Sequence, residues 1–283
     1  MNKPYKGSFL FITIITVLAG VLPIINFSMG MIVPFEVSFL IGFILLLLVF
    51  VIWDAIQRYS LRTAVYILIF TYLSAYVAEM LGVNFGLIFG EYYYTEYFGI
   101  RILGVPLLAG TAWGPITYAA YHVSEGLFPT PSLKNQSFLN KIWLCLLPAF
   151  LAAIATTAWD LSIDAIAVNE GWWVWENGGI YLSDLSGGIP ISNFVGWLGL
   201  STFIQLVYRL VIIPSDRPKS IAAGPIVLYL SLFLTSFLVV LTTLQRSDIA
   251  LIGLMSMGPF VLPALRHLFL FFNIKQSTNP REI

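Results

Sequence analysis

Apolar runs of about twenty residues, separated by short polar stretches, recur eight times along this 283-residue chain. They fall at residues 8–28, 34–53, 63–83, 104–123, 139–159, 192–213, 222–243 and 249–272. Each run is long enough to cross a hydrocarbon layer roughly 30 Å thick as an α-helix. Gly258, Pro259 and Pro263 interrupt the last run. The pattern predicts an all-α polytopic bundle of about eight transmembrane helices, or seven without the last. No stretch is left over for a soluble domain, so residues 1–283 read as a single integral membrane domain.

Composition agrees with the pattern. Hydrophobic residues make up 59% of the chain and charged residues 10%, against about a quarter charged in a soluble domain. Lys3 and Lys6 precede the first run as in a signal peptide. That run is too long for an h-region, however, and Asn26, Phe27 and Met29 stand where a small-residue cleavage site would lie. The first run is therefore expected to stay as a helix. Cys145 is the only cysteine, which rules out an internal disulfide and argues against a thiolate metal site. A formal net charge of zero says nothing about nucleic acid, which is not expected as a partner.

With a cytoplasmic N-terminus, eight spans place Lys3, Lys6, Arg58, Arg62, Lys134, Lys141, Arg209, Arg217, Lys219, Arg266, Lys275 and Arg281 on the cytoplasmic side, leaving only Arg101 and Arg246 outside. This bias predicts that both termini are cytoplasmic in a multi-pass protein of the cell membrane. The two long loops, after the third and fifth spans, then face away from the cytoplasm.

Those loops echo each other. One ends "GVPLLAGTAWG" and the other "GIPISNFVGWLG", so Pro106 precedes Trp113, and Pro190 precedes Trp197, by seven residues. Seven residues is close to two helical turns, which puts each tryptophan on the face of its proline. Each preceding span also carries a carboxylate near its outer end, Glu79 or Asp160. These matches point to a degenerate repeat of helix hairpins 63–123 and 139–213, related by an axis along the membrane normal.

The charged residues within the apolar runs are the chemical candidates. A carboxylate at the depth of Glu79 is costly unless it is paired or hydrated. It is either a functional group or a side chain reaching the interface beside Arg101. Asp160 and Asp164 are spaced i, i+4 and share a face if the fifth helix continues. Two carboxyls held close in a dry site do not both ionise easily, so one keeps a proton to donate at neutral pH. The bland alternative is a polar helix end. Asn193 can donate and accept, either as a water-orienting group or as an ordinary helix-terminal residue. Trp113, Trp159, Trp172, Trp173, Trp175, Trp197, Tyr181 and Tyr92 to Tyr94 form an aromatic set. An interfacial belt explains most of it, while the density of "GWWVWENGGIY" exceeds what a belt needs and fits a cation held between ring faces. His122 and His267 lie far from the acids and from each other, and no phosphate loop or nucleophile elbow is present. Acids and aromatic faces together suit protonation of an alkene and stabilisation of the resulting carbocation, as in an isoprenoid hydratase or cyclase.

The segments "AEMLGVNFGLIFGEYYYTEYFG", "GVPLLAGTAWG", "AWDLSIDAIAV", "WWVWENGGIY" and "GIPISNFVGW" resemble carotenoid biosynthesis membrane proteins of the CruF type, over roughly residues 60–210. The resemblance implies a cofactor-independent carotenoid 1,2-hydratase, of the γ-carotene 1'-hydroxylase and bisanhydrobacterioruberin hydratase kind. Such an enzyme adds water to an acyclic ψ end group and forms a tertiary alcohol. Its reactants are an apolar carotenoid and water, its surroundings membrane lipid and other carotenoid-pathway enzymes. Asp160, Asp164, Glu79 and Asn193 are then the catalytic candidates. Trp113, Trp159, Trp173, Trp175, Trp197, Tyr92, Tyr94 and Tyr181 are the substrate-binding candidates, with no metal. In detail, Asp160 partnered by Asp164 is expected to protonate C2, and Glu79 with Asn193 to orient and deprotonate water. The chain departs from the family pattern at Ala165, where proline is usual, and at an inserted "LSDLSG", residues 182–187.

Three rivals remain. A carotenoid end-ring cyclase begins with the same protonation. An intramembrane prenyltransferase would use Asp160 and Asp164 as part of a diphosphate motif with Mg²⁺, but only one such motif is present and no cation lies near it. A carotenoid-binding or transport protein would need polar residues along a path across the membrane, whereas the sequence gathers them at one face.

Overall fold

The computed structural model describes residues 7–18, 37–177, 179–181, 188–213 and 222–277. Residues 19–36, which include the end of the first expected span, and the insertion at 182–187 lie outside the described residues. Among those described are eight helices: α1 (Gly7–Leu18), α2 (Val37–Arg58), α3 (Leu61–Phe85), α4 (Trp113–Leu127), α5 (Phe138–Asn169), α6 (Ile191–Val207), α7 (Ala223–Thr242) and α8 (Ser247–Ser277). Six of them, α2, α3, α5, α6, α7 and α8, are long and apolar enough to cross a membrane. The protein is thus an all-α, multi-pass membrane helix bundle.

The boundaries follow local chemistry. Ser60 caps α3 by accepting from the Thr63 amide at 3.1 Å, and Ser137 caps α5 from Asn140 at 3.3 Å. Gly86, at φ 65°, ends α3 in the left-handed conformation that glycine adopts without strain. The α5 helix runs ten residues beyond the expected 139–159 span because nothing breaks it before Gly171. That continuation puts Asp160 and Asp164 one turn apart on one face. The α8 helix passes through Pro259 and Pro263 without ending.

The fourth span departs most from expectation. Residues 104–112 are not helical, and α4 begins only at Trp113. Its fifteen residues cover about 22 Å, short of a membrane thickness. An extended strap precedes it, with the short strands β2 (Arg101–Ile102) and β3 (Val105–Pro106) and a 3₁₀ turn at Ala109–Thr111. Exposed backbone is costly at this depth unless it is satisfied by protein. Here α3 satisfies it: Asn84 Nδ2 donates to the Leu103 carbonyl at 2.9 Å, Tyr76 to Val105 at 3.0 Å and Tyr72 to Leu107 at 2.9 Å. Those donors span about 18 Å of helix, so the strap runs back alongside α3.

The loops after α3 and α5 meet in a small sheet that the hydropathy pattern does not disclose. Strand β1 (Glu91–Tyr94) pairs antiparallel with β4 (Trp173–Asn177), setting Tyr92 opposite Trp175 and Tyr94 opposite Trp173. Alternation turns Tyr92 and Tyr94 inward, while Glu91 and Tyr93 stay exposed.

Paired charges hold the opposite end of the bundle. Asp54 takes Arg58 Nε at 3.0 Å and the Tyr118 hydroxyl at 2.7 Å. Arg209, on a π-helical turn at Tyr208–Ile212, donates to Gln205 Oε1 at 2.7 Å and Ser124 Oγ at 2.5 Å, lies 3.4 Å from Glu125, and sits 4.6 Å above the Tyr121 ring. His122 is buried there beside the Tyr59 hydroxyl, 3.3 Å away, far along α4 from Trp113. Two of the cations counted in the positive-inside bias, Arg58 and Arg209, are therefore internal structural partners.

Candidate active site

A partly open cavity lies beneath the β1–β4 sheet. The last turns of α3 and α5 bring carboxyl groups to it from two sides. Glu79 reaches it from α3, Asp164 from α5 and Asn193 from α6.

The surroundings of the two acid groups differ. Glu79 is buried, and the Tyr92 and Tyr94 hydroxyls both donate to its Oε2, the latter at 2.8 Å. The indole of Trp113 also faces it. Hydroxyl donors satisfy a carboxylate oxygen, so Glu79 has the partners a buried anion needs. Burial, reinforced by the neighbouring Glu79 charge, pushes both tyrosine hydroxyls far above their ordinary range, so they remain donors at neutral pH. Arg101 is not the partner of Glu79; it donates to the Thr95 carbonyl.

Asp160 and Asp164 share a single donor. Asn193 Nδ2 reaches Asp160 Oδ2 at 3.0 Å and Asp164 Oδ2 at 2.5 Å. The third residue of α6 faces α5, and its amide bridges the acid pair. The two aspartates also differ in position. Asp164 lines the cavity beside the Trp173 indole. Asp160 is fully enclosed behind it, with Oδ1 unpartnered among the described residues.

Aromatic rings make up much of the remaining wall. Trp113 and Trp197 stack face to face with centroids 3.8 Å apart and planes 13° from parallel, and Trp159 meets Trp197 edge-on at 6.4 Å. Trp173 and Trp175 back Tyr94 and Tyr92 at 5.8 and 5.7 Å. Of the eight expected aromatics, seven line the cavity, and Tyr92 and Tyr94 do so while bound to Glu79. Tyr181 is not among the lining residues; its backbone pairs with Pro190.

Several lining residues were not legible as such in the sequence. Phe89 packs where two helices bear glycine: a Cβ on Gly196 would sit 2.4 Å from the Ile88 carbonyl, and one on Gly82 would sit 2.7 Å from the Tyr92 ring. The Phe89 carbonyl accepts from Trp175 Nε1 at 3.1 Å, which ties the two loops together. Phe98, Ile163, Ile44, Leu108, Ala109 and Ala112 complete the lining. The alternation of "EYYY" against "WVWE" was the available signal for the sheet, and the apolar residues carried none.

Fold and site together define a polytopic helical membrane protein with an aromatic cavity lined by Glu79 and by Asp164 of an amide-bridged aspartate pair. The chain belongs to the carotenoid biosynthesis protein family, whose model matches residues 35–259, and its role lies in carotenoid biosynthesis. No curated protein and no solved structure gives a significant match.

Proposed function

We propose that the protein is a carotenoid 1,2-hydratase, adding water to an acyclic ψ end group without a cofactor. The observation that carries this reading is that two unlike acid centres, borne by different helices, meet at one aromatic cavity. An amide bridges the Asp160–Asp164 pair, and two adjacent carboxyls share a proton more readily than they ionise together. Glu79, held by two hydroxyls, is equipped as a base.

In this mechanism Asp164, the member that faces the cavity, gives its proton to C2 while the alkene's π electrons form the new C–H bond. The positive charge left at C1 lies among the faces of Trp159, Trp173 and Trp175. Water attacks C1 through oxygen and passes one proton to Glu79. Exchange with solvent then reprotonates the aspartate pair and deprotonates Glu79, so the net change is substrate plus water to tertiary alcohol. Asn193 orients the acid pair.

We place the protein in the cytoplasmic membrane with both termini cytoplasmic, a reading supported by the excess of Lys and Arg on one side. We also read hairpins 63–123 and 139–213 as a repeat, supported by the Trp113–Trp197 stack and by the antiparallel pairing of the loop strands β1 and β4. Expression in a host that makes lycopene or γ-carotene, followed by pigment mass analysis, tests the reaction. Hydration adds one water per end group, whereas a product isomeric with the substrate marks a cyclase.

A further inference from the structure

The cavity has one wall of a different character. Ile44 of α2 and Leu108, Ala109 and Ala112 of the strap line it with aliphatic side chains only, while the other walls bear the acids and most of the rings. Ala109 and Ala112 each contribute a single carbon and remain partly accessible. Their neighbours on the same elements, Leu45 and Leu107, are exposed, as expected for groups that face lipid. Only a single 3₁₀ turn, Ala109–Thr111, stands here before α4 begins, and the chain just before it is held by α3 through the Val105 and Leu107 carbonyls.

From this wall we infer a substrate portal and chain-binding subsite: Ile44, Leu108, Ala109 and Ala112 take the apolar polyene chain as it passes laterally from the bilayer, with only its end group reaching the acids. This inference rests on the proposed reading of the cavity as a carotenoid site. Its physical basis is that a long hydrocarbon chain is not desolvated twice if it stays in contact with lipid. The aliphatic wall is also the part of the lining with no polar group to bury against that chain.

The test compares two substrates in membranes that contain the full chain: a full-length acyclic carotenoid, and a short acyclic terpene with the same trisubstituted terminal alkene. Ala109→Trp and Ile44→Trp each narrow the wall from a different element. The portal predicts that at least one of them lowers turnover of the long substrate about tenfold or more while the short one stays within about twofold of wild type. Turnover of the short substrate also reports that the variant is folded. Parallel losses in both variants, or no loss in either, overturn the portal. If the wild type hydrates neither substrate, the hydratase reading fails instead. Retention of long carotenoid through purification, compared between wild type and Ile44→Trp, then still tests the subsite: loss of pigment in the variant supports it and equal pigment overturns it.

Discussion

Asp164→Asn removes one proton and little else. The amide is nearly isosteric with the carboxyl, and its oxygen can still accept from Asn193, which reaches Asp164 Oδ2 at 2.5 Å in the native protein. Asp164 carries the transferable proton and is neutral, so the bond stays a neutral one and the change costs at most about 1 kcal/mol of stability. Catalysis should suffer more. A positioned general acid contributes about 10²–10⁴-fold, or about 2.7–5.4 kcal/mol of barrier. Asp164 is the member of the pair that lines the cavity, so Asp160 is not placed to supply the proton in its stead. The assay is initial-rate hydration in isolated membranes, with the amount of folded protein set by detergent-solubilised size exclusion. A loss of two to four orders of magnitude in kcat, with the protein still monodisperse, is the expected outcome. Turnover within about tenfold of wild type would refute the assignment of the acid.

Other perturbations probe the remaining parts. Glu79→Gln keeps an acceptor for Tyr92 and Tyr94 but removes the base, and should cut hydration by about 10²–10⁴-fold, with about 1 kcal/mol of stability lost for each charge-assisted bond made neutral; single-turnover rates check this. Tyr94→Phe deletes the 2.8 Å bond to Glu79 and should lower stability by about 1–3 kcal/mol, read as a shift in the thermal midpoint. Because burial raises both tyrosines well above their usual value, their neutral form is favoured by folding. That contribution is fully present below about pH 10 and is lost only as pH rises through the raised values. Between about pH 6 and pH 9, ultraviolet titration of the native protein should therefore show no tyrosinate from either residue. Gly196→Ala places a methyl 2.4 Å from the Ile88 carbonyl and should destabilise by about 1–3 kcal/mol, measured by chemical denaturation in detergent.

Much of the bundle was legible because lipid imposes its requirement on every face of a helix, so apolar length alone marks α2, α3, α5, α6, α7 and α8. The same criterion misled at residues 104–112, where composition is apolar but Tyr72, Tyr76 and Asn84 of a neighbouring helix supply the backbone partners that permit extended chain. Long-range satisfaction of this kind leaves no local trace. The acids were identifiable as isolated charges in apolar runs, and the i, i+4 spacing of Asp160 and Asp164 forecast their shared face. Their division of labour was not, because it depends on which aspartate the cavity reaches and on the turn of α6 that aims Asn193 at α5. The tryptophans stood out by density. Tyr92 and Tyr94, by contrast, needed the strand register to show that their hydroxyls meet Glu79.

The central claim is that water adds across the terminal alkene in this cavity. Purified protein supplied with an acyclic carotenoid in ¹⁸O-labelled water tests it most directly, with products analysed by mass spectrometry. The account predicts a tertiary alcohol heavier than the substrate by one labelled water per reacted end, absent with Asp164→Asn. A product of unchanged mass, or an alcohol whose oxygen carries no label, would contradict it.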